Sequence, residues 1–228
     1  YWNMSSFVPL MLPVAASEHG ATLDWLFNFN IIILYIVFIP THIVLFYFAY
    51  KYYGRDNHRA TYYPHNNKLE MIWTIIPAIV LAVIIIFGIK TWAKITAPAS
   101  KDAIVIQLYA KQFDWTARYA GKDSTLGASN YKLITGENPL GMDITDQKGD
   151  DDIIVRNEFH IPKGKEVEFK LNARDVIHSA FMPHFRQQMN CVPGMTTMMH
   201  LTATITTAEM REKLNNPKFD YVLICNKI

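Results

Sequence analysis

Two stretches without a formal charge decide what this chain can become. Trp25–Tyr50 runs for 26 residues, and Met71–Ile89 for 19, without one Asp, Glu, Lys or Arg. A bilayer core takes about 20 apolar residues of helix, so each run is long enough to span. A helix half-buried in a soluble domain keeps a polar face, and neither run has one. The composition agrees: 50% of the 228 residues are hydrophobic and only 18% charged, which suits an external domain with a membrane appendage. Pro40 and Pro77 fall inside the runs, where neighbouring groups can satisfy the freed carbonyl, and both are expected to mark kinks.

The connection between the runs sets their direction. It carries Lys51, Arg55, Arg59 and Lys68 against Asp56, and basic residues in short loops stay on the cytoplasmic side. Both ends of the chain are therefore expected outside. The expected organisation is an external lead over 1–22, and a transmembrane hairpin over 23–94 with spans at 25–50 and 71–92 and a cytoplasmic loop at 51–69. An external domain follows over 95–228. The first 20 residues lack the basic start and compact apolar stretch of a signal peptide.

Beyond Lys94 the apolar runs shorten to strand length. AIVIQLYAKQFDW, DDIIVRNEFHIP, KEVEFKL, DVIHSAFMP, MTTMMHLTATI and FDYVLIC alternate or run apolar for a few residues, with Gly or Pro between many of them. This pattern predicts an all-β domain, most simply a sandwich. Residues 121–152 interrupt it with a Gly-, Asp-, Asn- and Ser-rich stretch ending in KGDDD. Asp143, Asp146, Asp150, Asp151 and Asp152 against Lys148 give this loop an acidic end. It reads equally as a solvated loop or as a docking element for a basic partner.

His178 follows Val176 and Ile177 at a strand end, and Cys225 closes an apolar strand 47 residues later. A lone histidine of this kind is more often structural than a ligand. A His and a Cys on neighbouring strands of a sandwich are nevertheless how such a scaffold holds copper, because imidazole and thiolate suit that metal. With two cysteines in all, Cys191 and Cys225, a single disulfide is the competing arrangement.

DVIHSAFMPHF at 175–185, VPG at 192–194, LEMIWTIIPAIVL at 69–81 and Cys225 after an apolar strand together resemble cytochrome c oxidase subunit II. The resemblance runs from about Leu23 to the last residue. It implies a two-helix transmembrane hairpin followed by a cupredoxin-like Greek-key sandwich carrying the dinuclear copper centre CuA. That centre takes two cysteines of a C-x-x-x-C loop, two histidines, a methionine and a loop carbonyl. By motif the first histidine falls on His178, the first cysteine on Cys225 and the carbonyl on Lys227. The second cysteine, with a histidine and a methionine, is expected after Ile228, and copper is expected only when those residues are present.

The same resemblance implies electron entry through an aromatic stretch, placed on Phe113 and Trp115 in AKQFDWTARY, although the family has tryptophan where Phe113 stands. Trp115 reads equally as sandwich core. Glu70 falls where the family opens a proton path into subunit I, or simply favours a helix start. Lys227 replaces the glutamate that reaches an interfacial magnesium ion. Since Mg²⁺ wants oxygen donors, that site is expected to be altered or absent.

The implied partners are oxidase subunit I with its haem, the other oxidase subunits, a cytochrome c donor and the lipid bilayer, with no nucleic acid. The implied location is a bacterial inner membrane, with the domain on the periplasmic side. The implied activity is that of a proton-translocating oxidoreductase complex whose oxygen chemistry lies in subunit I. No C-x-x-C-H haem motif occurs. Two alternatives remain: a copper-free quinol-oxidase type of subunit II, and a membrane-anchored blue-copper carrier.

Overall fold

The computed structural model describes residues 12–54, 59 and 61–227. The chain divides into two compact units, one built on Thr22–Trp92, the other on the stretch up to Ala21 together with everything from Ala93 onward.

The first unit is two helices, α1 (Gly20–Lys51) and α2 (Asn67–Ile95). Both are long and apolar enough to cross a membrane, and each continues through its proline. Their polar side chains return to the helix backbone. Thr41 Oγ1 donates to Val37 O at 2.6 Å, Asn30 Nδ2 to Leu26 O at 2.8 Å and Thr74 Oγ1 to Glu70 O at 2.8 Å. A hydroxyl or amide placed in hydrocarbon is thereby satisfied without a partner helix. α2 begins ahead of its apolar run because Asn66 caps it, Oδ1 accepting from Leu69 N at 3.1 Å. Of the charges that orient the hairpin, Arg55 and Asp56 lie outside the described residues.

The second unit is a two-sheet β domain. One sheet has the order β3-β2-β1-β4-β7, formed by β1 (Ile104–Lys111), β2 (Asp114–Tyr119), β3 (Ile153–Arg156), β4 (Glu166–Ala173) and β7 (Thr197–Thr202). The other is β6-β5-β8, formed by β5 (His178–Met182), β6 (Gln187–Cys191) and β8 (Ile224–Cys225). β4 alternates strictly, burying Val167, Phe169, Leu171 and Ala173, as a strand with one face on the core must. Its parallel neighbour β1 sets Ile106 beside Phe169 and Leu108 beside Leu171. Ala180, Met182 and Cys191 close the core from the second sheet.

Three features depart from the sequence reading. The final stretch of the expected external lead packs as part of the β unit: Ser17 bridges Ala203, Ala16 N donates to His184 O at 2.7 Å and Thr204 N to Ala16 O at 2.8 Å. Only Ile224–Cys225 of FDYVLIC enters a ladder, because Phe219 and Tyr221 are taken up in ring contacts with His184, and Tyr221 also with Phe185. A short helix, α3 (Thr207–Leu214), follows β7, closed at its start by a Thr206–Glu209 capping box.

The acidic loop is also more ordered than its composition suggests. Its carboxylates are used inside the chain. Asp152 pairs with Arg118 and both side chains are fully buried. Asp151 accepts from Lys122 N at 2.6 Å, Asp146 from Ala128 N at 2.7 Å and Asp143 from Thr145 N at 2.9 Å. The loop covers one face of β1 and β2, where Arg118 also donates to Gln107 Oε1 at 3.0 Å and Gly127 O at 2.9 Å. Gly127 has to be glycine, since a Cβ there would come within 2.4 Å of Gly149 Cα. Four acids of the loop, Asp143, Asp146, Asp151 and Asp152, thus act as structural clips.

Candidate metal centre

The hairpin β5–β6 sets His178 opposite Cys191, and β8 sets Cys225 opposite Ala180. Strand pairing alone therefore brings His178 and Cys225 together, with Cys225 Sγ 3.7 Å from His178 Nδ1. The other ring nitrogen, Nε2, lies 2.7 Å from Asp175 Oδ1. Asp175 in turn accepts from Gln112 N and Val176 N, each at 2.8 Å. Burial would raise the Asp175 carboxyl, but these amides and the imidazole outweigh it and hold the group at about 2. A carboxylate accepts, so Nε2 carries the proton and Nδ1 is turned toward sulfur. A ligating histidine is normally oriented in this way.

Opposing influences act on the Cys225 thiol. Burial alone would raise the Cys225 thiol, yet the Ser179 amide, the Lys227 backbone and His178 together bring it below its ordinary value. Burial likewise opposes a charged His178, and Asp175 with Cys225 overrides it and raises the imidazole. A metal ion held between Cys225 and His178 would take the place of the proton they share. Bonds of about 2.0 Å to nitrogen and 2.3 Å to sulfur separate the two donors by about 3.5 Å in a tetrahedral site, which the observed spacing fits. The Lys227 carbonyl lies 3.5 Å from the same sulfur. His178, Cys225 and Lys227 therefore converge.

Cys191 has a different character. It is fully buried, and burial pushes its thiol up to about 12. Both cysteines are free thiols, so the disulfide arrangement does not occur.

Phe113 stands 97% exposed at the tip between β1 and β2. Trp115 packs against the core and meets the His178 ring edge-on, with centroids 6.3 Å apart. Trp115 is therefore part of the sandwich core and also lies against the imidazole. Glu70 lies in the first turn of α2, where its charge suits the helix N-terminus. Asp175 was not among the sequence candidates. Its signal was the D-x-x-H spacing, which places a carboxylate one strand-entry turn ahead of the imidazole.

Two helices long and apolar enough to cross a membrane, followed by a two-sheet β domain with a Cys–His pair between neighbouring strands, define a narrow class. Residues 5–91 match the family "Cytochrome C oxidase subunit II, transmembrane domain". The chain is 35% identical over 164 residues to the alternative cytochrome c oxidase subunit 2 of Bradyrhizobium diazoefficiens, covering 70% of this chain and 58% of that protein. It is 29% identical over 211 residues to cytochrome c oxidase subunit 2 of Thermostichus vulcanus, covering 82% and 64%. Among solved structures, the periplasmic domain of subunit II of cytochrome oxidase from Bradyrhizobium japonicum matches at 22% identity and TM-score 0.31, over 48% of this chain and 68% of that one. Residues 5–91 thus belong to the subunit II transmembrane-domain family, the chain as a whole is similar to cytochrome c oxidase subunit II, and it spans about three-fifths of the length of these two relatives.

Proposed function

We propose that this chain is the electron-entry subunit of a bacterial respiratory terminal oxidase, anchored in the inner membrane with its β domain on the periplasmic side. The observation that carries the reading is His178 Nδ1 set 3.7 Å from Cys225 Sγ, with Nε2 tied to Asp175. His178, Cys225 and the Lys227 carbonyl would hold part of a dinuclear CuA centre. When bound, that centre supplies a one-electron relay between a cytochrome c and the haem of subunit I.

The chain's own residues do the rest. Asp175 fixes the imidazole, and the strand pairing of β5 with β8 fixes the sulfur, so ligand positions change little between oxidation states. Phe113 offers an exposed ring to the donor. Trp115 stands between that tip and His178 in sequence and touches the imidazole. Glu70 would gather protons at the cytoplasmic end of α2 for a path in subunit I. Lys227 leaves no carboxylate at the family's magnesium position, and that ion is absent or differently held in this reading.

The test is electron paramagnetic resonance and absorption spectroscopy on the purified oxidase containing the full-length subunit. A mixed-valence dinuclear copper signal, abolished in Cys225→Ser, is expected. A mononuclear cupric signal would favour a blue-copper carrier, and no copper signal a quinol-oxidase type; either result overturns the proposal. Glu70→Gln should slow turnover with copper content unchanged, and unchanged turnover would leave Glu70 as a helix-start charge only.

A further inference from the structure

A second group of donors lies away from Cys225, on the edge strand β7 of the other sheet. The stretch before α1 lies against β7 and its exit, with Glu18 N donating to Thr202 O at 3.1 Å. This places Glu18 and His19 beside His200. One ligand atom from each of Glu18, His19 and His200 lies within 4.8 Å of the other two. Both histidines are buried and their rings meet edge-on at 5.8 Å.

The ring nitrogens are arranged for a ligand. His200 Nε2 bonds the Lys94 carbonyl at 3.2 Å. A carbonyl can only accept, so the proton of neutral His200 sits on Nε2 and the lone pair on Nδ1. That Nδ1 is shut off from water and makes no hydrogen bond, although Glu166 Oε1 lies 2.9 Å away. The contact is close but off the line a ring N–H would need. His19 Nε2 is in the same condition, buried and without a hydrogen bond, 3.0 Å from Glu18 Oε1. Two buried ring nitrogens without hydrogen bonds, each against a carboxylate, are an expense a protein normally avoids. Burial lowers the His19 imidazole, the Lys94 and His200 charges add to this, and the two carboxylates oppose it.

The geometry points to a divalent metal site of the zinc class, formed by Glu18, His19 Nε2 and His200 Nδ1, with Glu166 as a positioning carboxylate or fourth ligand. Two imidazoles and a carboxylate are a common donor set for Zn²⁺, and no sulfur is present to favour copper(I). Metal bonds of about 2.0–2.2 Å set tetrahedral donors about 3.4 Å apart, so binding would draw in the three side chains from a spacing that lies within 4.8 Å. The Lys94 carbonyl fixes the His200 tautomer from the outer side. Bound metal would pin the stretch before α1 to β7.

The experiment measures zinc by mass spectrometry in the purified oxidase with its full-length subunit, after exposure to Zn²⁺ and removal of loose metal with a chelator of known affinity. Co²⁺ serves as the spectroscopic probe. A single additional equivalent of zinc in the wild type, absent from His19→Asn, is expected, together with the intense ligand-field bands of tetrahedral Co²⁺. Glu166→Gln should weaken binding by about 10–100-fold. Glu18→Gln changes an exposed side chain, so it keeps the test valid if the histidine variant folds poorly; it should lose the zinc and keep the copper spectrum. No extra equivalent in the wild type, or equal zinc in wild type and Glu18→Gln, would overturn the site.

Discussion

Removing the Asp152 carboxylate should unfold the β domain at a much lower temperature. Asp152 and Arg118 are a fully buried ion pair, with Arg118 Nε donating to Asp152 Oδ2 at 2.9 Å. Gly127 N donates to the same oxygen at 3.1 Å. In Asp152→Ala the guanidinium keeps Gln107 Oε1 and Gly127 O but loses its counter-charge in a site closed to water. Breaking one side of a buried pair in this way costs about 3–5 kcal/mol. For a domain of this size each kcal/mol moves the melting temperature by about 3 °C, so the expected fall is about 9–15 °C. The double variant Arg118→Met/Asp152→Leu should recover most of it, since a buried pair replaced by apolar groups costs little. Near-ultraviolet circular dichroism melts of the full chain in detergent provide the assay. If the loop were a solvated acidic element, Asp152→Ala would shift the melt by less than about 2 °C, as surface substitutions do. That result would refute the clip.

Asp175→Asn should lower copper affinity by about 10–100-fold through loss of the group that orients His178, read by titration against a copper chelator. Before copper loading, a thiol-alkylating reagent at mildly alkaline pH should label Cys225, held below its ordinary value, and spare Cys191, pushed up to about 12, with mass spectrometry reporting both. Glu209 is held at about 2 mainly by the Lys163 ammonium and the Thr206 amide. Because this folded-state value is depressed, the stabilisation of α3 is complete above the ordinary carboxylate range and fades as pH falls from about 4.5 toward 2. Hydrogen exchange in α3 should rise across that window in the wild type and show no such step in Glu209→Gln.

The two spans were legible because hydropathy over 19 or more residues has few competing explanations. Their ends were not, since Asn66 caps a helix whose first residues, Asn67–Glu70, come before the apolar run. Strands with a plain apolar pattern, such as β4, could be read directly. β6 reads QQMNC and escapes any search for apolar runs, because its place is set by the hairpin after Pro183–Phe185. α3 carried a readable T-x-x-E start. The acidic loop misleads for a local reason: charge counts cannot separate a solvated carboxylate from one that accepts the amide two residues on, as Asp143 and Asp146 do. In the site, His178, Cys225 and Lys227 came from motif. Asp175 and the Glu18–His19–His200 group depend on which strands become neighbours, and that information is tertiary.

The pairing of β1 with β4 has a consequence for how the domain is made. These strands run parallel, Ile104 beside Val167, so the centre of the larger sheet joins segments separated by the β1–β2 hairpin, the whole acidic loop and β3. Contacts of such long separation carry a loop-closure cost before any burial rewards them. The carboxylate clips shorten that excursion by folding the loop on itself, which lowers the closure cost of pairing the central strands. During synthesis beside a membrane, β1 would therefore wait with an open, apolar edge until β4 has emerged.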